Sequence, residues 1–91
     1  MKKFLIEVSH GSDKHACEHA IQVFHETGSH FLTKALWGCL DGVHKSWIVV
    51  DAESKEEAKF IVPPMFRSEA QIILLTSFNS IEIKEQTYHQ V

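Results

Sequence analysis

Along the first quarter of the chain the apolar positions change from a two-residue period to a helical one. Residues Lys3 to Ser9 alternate, which sets Phe4, Ile6 and Val8 on one face of a strand that ends at His10-Gly11. Ser12 or Asp13 then stands where a helix takes a side-chain cap. Ala16, Cys17, Ala20, Ile21 and Phe24 recur on one helical face, and Gly28 supplies the stop.

Two strand-like segments follow, His30 to Leu40 and Val43 to Ala52, joined by Asp41-Gly42, the dipeptide favoured in a two-residue type I′ hairpin turn. That turn predicts a register with Leu40 opposite Val43, Cys39 opposite His44, Trp37 opposite Ser46 and Leu36 opposite Trp47. Phe31, Thr33, Ala35, Trp37, Cys39, His44, Ser46, Ile48 and Val50 then share one face. His30, Leu32, Lys34, Leu36, Val43, Lys45, Trp47 and Val49 share the other.

Ser54 followed by Glu57 reads as a capping box opening a second helix, with Ala58, Ile61 and Val62 inward and Pro63-Pro64 as its end. Gln71 to Phe78 is a last apolar strand, and Ser80 to Val91 alternates weakly, as an edge strand or a frayed end. The order strand, helix, strand, strand, helix, strand predicts one α+β domain over residues 1–91, a ferredoxin-like βαββαβ unit on a four-stranded antiparallel sheet. Two helices cover one face of such a sheet. Both hairpin faces carry apolar and aromatic residues, Trp37 and Trp47 among them, so the second face calls for a partner, most simply a second copy in a homodimer or higher homo-oligomer.

Composition narrows the function classes. A chain of 91 residues buries roughly 60–65% of its unfolded surface, so its own core is thin. A net charge of -3, with nine Lys and Arg scattered along the chain, gives no basic field for a nucleic-acid partner. The apolar start at Phe4-Leu5-Ile6 stops at Glu7, too short for an export signal, and no stretch approaches a membrane span. The expectation is a cytoplasmic protein with no membrane partner. Cys17 and Cys39 are expected as free thiols in that setting. Seven histidines stand where average usage gives about two.

The segments Gly28-Ser29-His30-Phe31-Leu32-Thr33, Trp37-Gly38-Cys39, Gly42-Val43-His44-Lys45 and Pro63-Pro64-Met65-Phe66-Arg67 are similar to a group of small bacterial proteins. The chain as a whole resembles, in topology, the dimeric α+β barrel superfamily, whose subunits pack sheet on sheet around a shared cavity. That superfamily includes cofactor-free monooxygenases, muconolactone isomerases, YCII-like proteins and haem-binding relatives of chlorite dismutase. The resemblance therefore implies a dimer and leaves the reaction open.

The histidine excess directs attention to metal chemistry. Cys39 and His44, opposed across the predicted hairpin, could place a thiolate and an imidazole on one ion, zinc or copper. A third or fourth ligand would come from His10 at the end of the first strand, from the helix, or from another subunit. The plain alternative is a packed Cys39 and a surface His44, and a nucleophilic Cys39 activated by His44 is a third reading. His15 and His19, four apart, share a helical face at chelating distance, on the polar side. His30, Trp37, Trp47 and Arg67 are the candidates for holding a small-molecule ligand, against plain roles in core, interface or ion pairing. Three functions stay open: a metal-binding dimer, a cofactor-free isomerase or monooxygenase acting on an aromatic or enol substrate, and a non-catalytic accessory subunit.

Overall fold

The computed structural model describes residues 1–26 and 30–78, with the side chains of residues 30 and 31 outside that description. The expected stop at Gly28 and the expected strand or tail from Ser80 to Val91 lie outside the described residues. Within them the chain runs β1 (Lys2–Ser9), α1 (Lys14–Glu26), β2 (Leu36–Trp37), β3 (Lys45–Ala52), α2 (Lys55–Ile61) and β4 (Ala70–Leu75), with 3-10 turns at His30–Lys34, Cys39–Asp41 and Pro64–Glu69.

The four strands form one antiparallel sheet in the order β2-β3-β1-β4. This is the arrangement compatible with a ferredoxin-like βαββαβ fold. Central β1 pairs with β3 (Phe4 with Val50, Ile6 with Ile48) and with β4 (Ile6 with Ile72). The period-two pattern drives this: Phe4, Ile6, Val8, Ile48, Val50 and Ala52 are buried together with Phe24 of α1 and Ala58 of α2. Burial of these side chains is the main force fixing both helices on one sheet face.

Local signals set the helix ends. The Asp13 carboxylate accepts the Ala16 amide at 2.8 Å, so Asp13 rather than Ser12 caps α1. The Ser54 hydroxyl accepts the Glu57 amide at 3.1 Å, and the Glu57 carboxylate in turn accepts the Glu53 amide at 3.0 Å.

Three expectations are corrected. Residues His30–Lys34 form a 3-10 turn, not a strand, and the turn swings Leu32, expected on the face that carries Trp47, into the core. The last strand runs Ala70–Leu75 rather than Gln71 to Phe78. The Asp41-Gly42 turn is not type I′, which needs positive φ at both central residues: Gly42 has φ +79°, and no other described residue is positive. Instead a wider loop closes on Gly38, whose carbonyl accepts the amides of Asp41 and Val43, both at 3.0 Å. A Cβ at Gly38 would lie 2.7 Å from the Val43 carbonyl oxygen, so this tight closure requires glycine. The predicted register survives at Leu36–Trp47 and Trp37–Ser46, and the ladder ends there.

The second sheet face is open. Leu36, Val49 and Ile73 on it are 72%, 54% and 42% exposed. Trp47 lies on the same face, its indole N–H donating to Glu7 Oε1 at 2.9 Å. No helix among the described residues is long and apolar enough to cross a membrane.

Candidate metal centre

Four side chains meet at one end of the sheet, and each is delivered by a different piece of the fold. His10 follows the end of β1, Cys17 sits in the first turns of α1, Cys39 opens the 3-10 turn after β2, and His44 directly precedes β3. The chain reversal that brings β3 back beside β1 is held here by the His10 amide donating to the His44 carbonyl at 3.1 Å.

The donor atoms converge. His10 Nε2 is 3.1 Å from Cys17 Sγ and 3.0 Å from Cys39 Sγ, and Cys17 Sγ is 3.3 Å from His44 Nδ1. One nitrogen or sulfur from each of His10, Cys17, Cys39 and His44 lies within 4.8 Å of the others. Two sulfurs and two nitrogens so placed are the donor set of a tetrahedral zinc site, in which bonds of about 2.0–2.3 Å put neighbouring donors about 3.3–3.8 Å apart. Three of the six donor pairs are a few tenths of an ångström tighter than this and all six lie within 4.8 Å, so a small rearrangement would seat an ion.

For two of the four donors the surroundings favour the neutral form. The Cys17 thiol is pushed up to about 11, first by its hydrogen bond with Cys39, then by burial and by the neighbouring charges of Cys39, Asp13 and Glu18. His10 is lowered from 6.5 by burial and by His44 beside it, which keeps its imidazole neutral. Its Nδ1 is buried with no hydrogen-bond partner among the described residues, so the ring is aimed by its Nε2 contacts with the two sulfurs and by packing 5.7 Å from the Trp37 ring.

Of the sequence candidates, the structure brings His10, Cys39 and His44 together, although Cys39 and His44 are not the ladder pair expected. Cys17, which its spacing places on the core face of its helix, completes the group as the ligand from the helix. The available signal was its position: with Asp13 as cap, Cys17 falls in the first turns of α1, beside the strand end that carries His10. His15 and His19 stay exposed and outside the cluster, and His19 lies near the Phe66 ring. The side chain of His30 lies outside the described residues. Trp37 packs on Phe24 at 4.9 Å, on the core side next to the cluster, whereas Trp47 lies on the open face. Arg67 donates to the carbonyls of Val62 at 2.8 Å and Phe60 at 3.1 Å, with its guanidinium 5.0 Å over the Phe60 ring. It thereby satisfies the end of α2.

A cavity of about 550 Å³ adjoins the cluster, lined by Cys17, Cys39 and His44 with Ile21, Trp37 and Leu40, and by Ser12, Lys14 and Glu18. His10 does not line it, so three of the four donors border open space and the fourth stands behind them. No protein-family model, curated protein or solved structure matches the chain.

Proposed function

We propose that the protein binds a single transition-metal ion through His10, Cys17, Cys39 and His44, and that the ion is zinc. The convergence of two thiols and two imidazoles from four separate elements carries this reading. Unpaired, such groups gain little from meeting in a half-buried site. On an ion they form a closed Cys2His2 shell, and the shell ties β1, α1, the loop and β3 at one end of a domain with a thin core. Copper(I), which shares the preference for soft tetrahedral donors, is the other cation the set fits.

The same reading includes a second copy of the chain over the open face of the sheet. Leu36, Val49 and Ile73 form an exposed apolar surface there, and two helices already cover the other face. Two sheets packed face to face would bury what one chain leaves in water.

The cavity favours a second reading, a cofactor-free isomerase or monooxygenase, since its volume suits a small substrate. His44 Nδ1 and Cys39 Sγ are engaged inside the cluster, however, and the metal reading accounts for all four residues. The deciding experiment is a zinc titration of metal-free, untagged protein against a chromophoric chelator. One tight equivalent, lost together in the four single-ligand variants, supports the proposal. A parent protein that competes no better than its Cys17→Ser and His44→Ala variants rejects it.

A further inference from the structure

The geometry points to Cys17 and Cys39 as a dithiol that exchanges with small disulfides entering the adjoining cavity, closing a bond between the two sulfurs and discharging the ion they hold. The discharge rests on the zinc reading above, whereas the exchange chemistry does not.

Three observations converge. Both cysteines are free thiols. Both sulfurs sit against the same nitrogen, His10 Nε2, at 3.1 and 3.0 Å, so the two side chains are turned toward one another. Both also line the cavity of about 550 Å³, which has room for a small disulfide against the apolar walls of Ile21, Trp37 and Leu40. Their settings differ in the way a two-step exchange needs. Cys39 is half-buried on the short turn that Gly38 and Gly42 bound, whereas Cys17 is buried on α1.

The step is thiol–disulfide exchange. The Cys39 sulfur attacks one sulfur of a small disulfide R–S–S–R. A bond forms between them, the original sulfur–sulfur bond breaks, and one R–S⁻ leaves. The Cys17 sulfur then attacks the Cys39 sulfur, forming the internal disulfide and expelling the second R–S⁻. Two electrons pass from the protein sulfurs to the small disulfide. In the metal-free protein the two thiol protons end on the two departing thiolates. In the zinc form the ion leaves as both of its thiolate ligands are consumed, because a disulfide sulfur is no longer a thiolate ligand.

The test treats the full chain, zinc-loaded and zinc-free in parallel, with 2-hydroxyethyl disulfide, and follows intact mass and zinc transfer to a chromophoric chelator. The expected product is a protein lighter by two hydrogens, with one zinc released per disulfide closed and both changes reversed by dithiothreitol. The Cys17→Ser variant should instead stop at a lasting mixed disulfide on Cys39. A parent protein that stays reduced, or that accumulates mixed adducts on both cysteines without closing, overturns the inference. The zinc-free arm separates the two claims. Closure in a chain that takes up no zinc refutes the zinc reading alone, and zinc uptake without closure refutes the exchange alone.

Discussion

His10 Nε2 lies 3.0 Å from Cys39 Sγ, although the two residues are 29 positions apart, one just past the end of β1 and the other in the turn after β2. The contact exists because β3 returns alongside β1 and the loop closed on Gly38 holds Cys39 over the end of the first strand. Any change that opens this loop should therefore act on the His10–Cys17–Cys39–His44 cluster before it acts on the core.

The two loop glycines give a graded test of that statement. At Gly38 an added Cβ meets the Val43 carbonyl oxygen at 2.7 Å and the Trp47 ring at 3.0 Å, so Gly38→Ala must push the loop apart. At Gly42 nothing lies within 4 Å, and Gly42→Ala carries only the cost of its positive φ, about 1 kcal/mol. Zinc affinity should fall at least ~10-fold further in Gly38→Ala than in Gly42→Ala, a loss of the size seen when a supporting partner of a ligand is removed. Chelator competition on both variants measures it, and equal affinities would contradict the role given to the loop.

Protons should compete with the ion in a defined way. With its thiol pushed up to about 11, Cys17 is protonated at neutral pH and must surrender that proton, whereas neutral His10 surrenders none. Affinity should rise with pH, and calorimetry in two buffers of different ionisation heat should register at least one proton released per zinc.

The metal-free fold has its own pH signature. The raised Cys17 value stabilises the fold below its ordinary 9.0, and that contribution is lost as pH climbs through about 11. The lowered His10 value works in the other direction: its contribution is present above 6.5 and is lost as pH falls below that. Urea unfolding of the metal-free chain should show its highest midpoint between those limits, with lower midpoints at pH 5.5 and pH 10.5. A midpoint that climbs steadily to pH 10.5 would show that the thiol is not held protonated by the fold.

Much of this architecture is legible in the residues themselves. The alternation of Phe4, Ile6 and Val8 and the Ser54–Glu57 capping box follow from local spacing, because each depends on neighbours a few positions away, whereas the Leu36–Trp47 register holds although a wider loop replaces the two-residue turn it was read from. The turn at His30–Lys34 does not, since a short run containing Phe31 and Leu32 fits a strand or a helical turn equally well. Cys17 escaped for a related reason. A cysteine at core spacing looks like any small apolar residue until the fold shows that its sulfur meets His10 and His44.

Phe24 tests the core that supports the centre. It is 1% exposed and packs on Trp37 at 4.9 Å and on Phe66 at 5.8 Å. Phe24→Ala should cost about 3–5 kcal/mol in urea unfolding, a large share of the stability of a chain this short.

The open sheet face gives an independent check on assembly. Val49→Lys places a charge at a position already 54% exposed in the single chain, so it should leave the fold intact. If a second copy covers this face, sedimentation should show the parent as a dimer and the variant as a monomer. A parent that sediments as a monomer would remove the proposed partner.

The central claim is that His10, Cys17, Cys39 and His44 together hold one zinc ion, and X-ray absorption at the zinc edge of the stoichiometrically loaded protein tests it most directly. If the four residues hold the ion as proposed, the spectrum should give a four-coordinate shell of two sulfurs at about 2.3 Å and two imidazole nitrogens at about 2.0 Å. A shell of oxygen and nitrogen alone, with no sulfur scattering, would place the ion elsewhere and contradict the account.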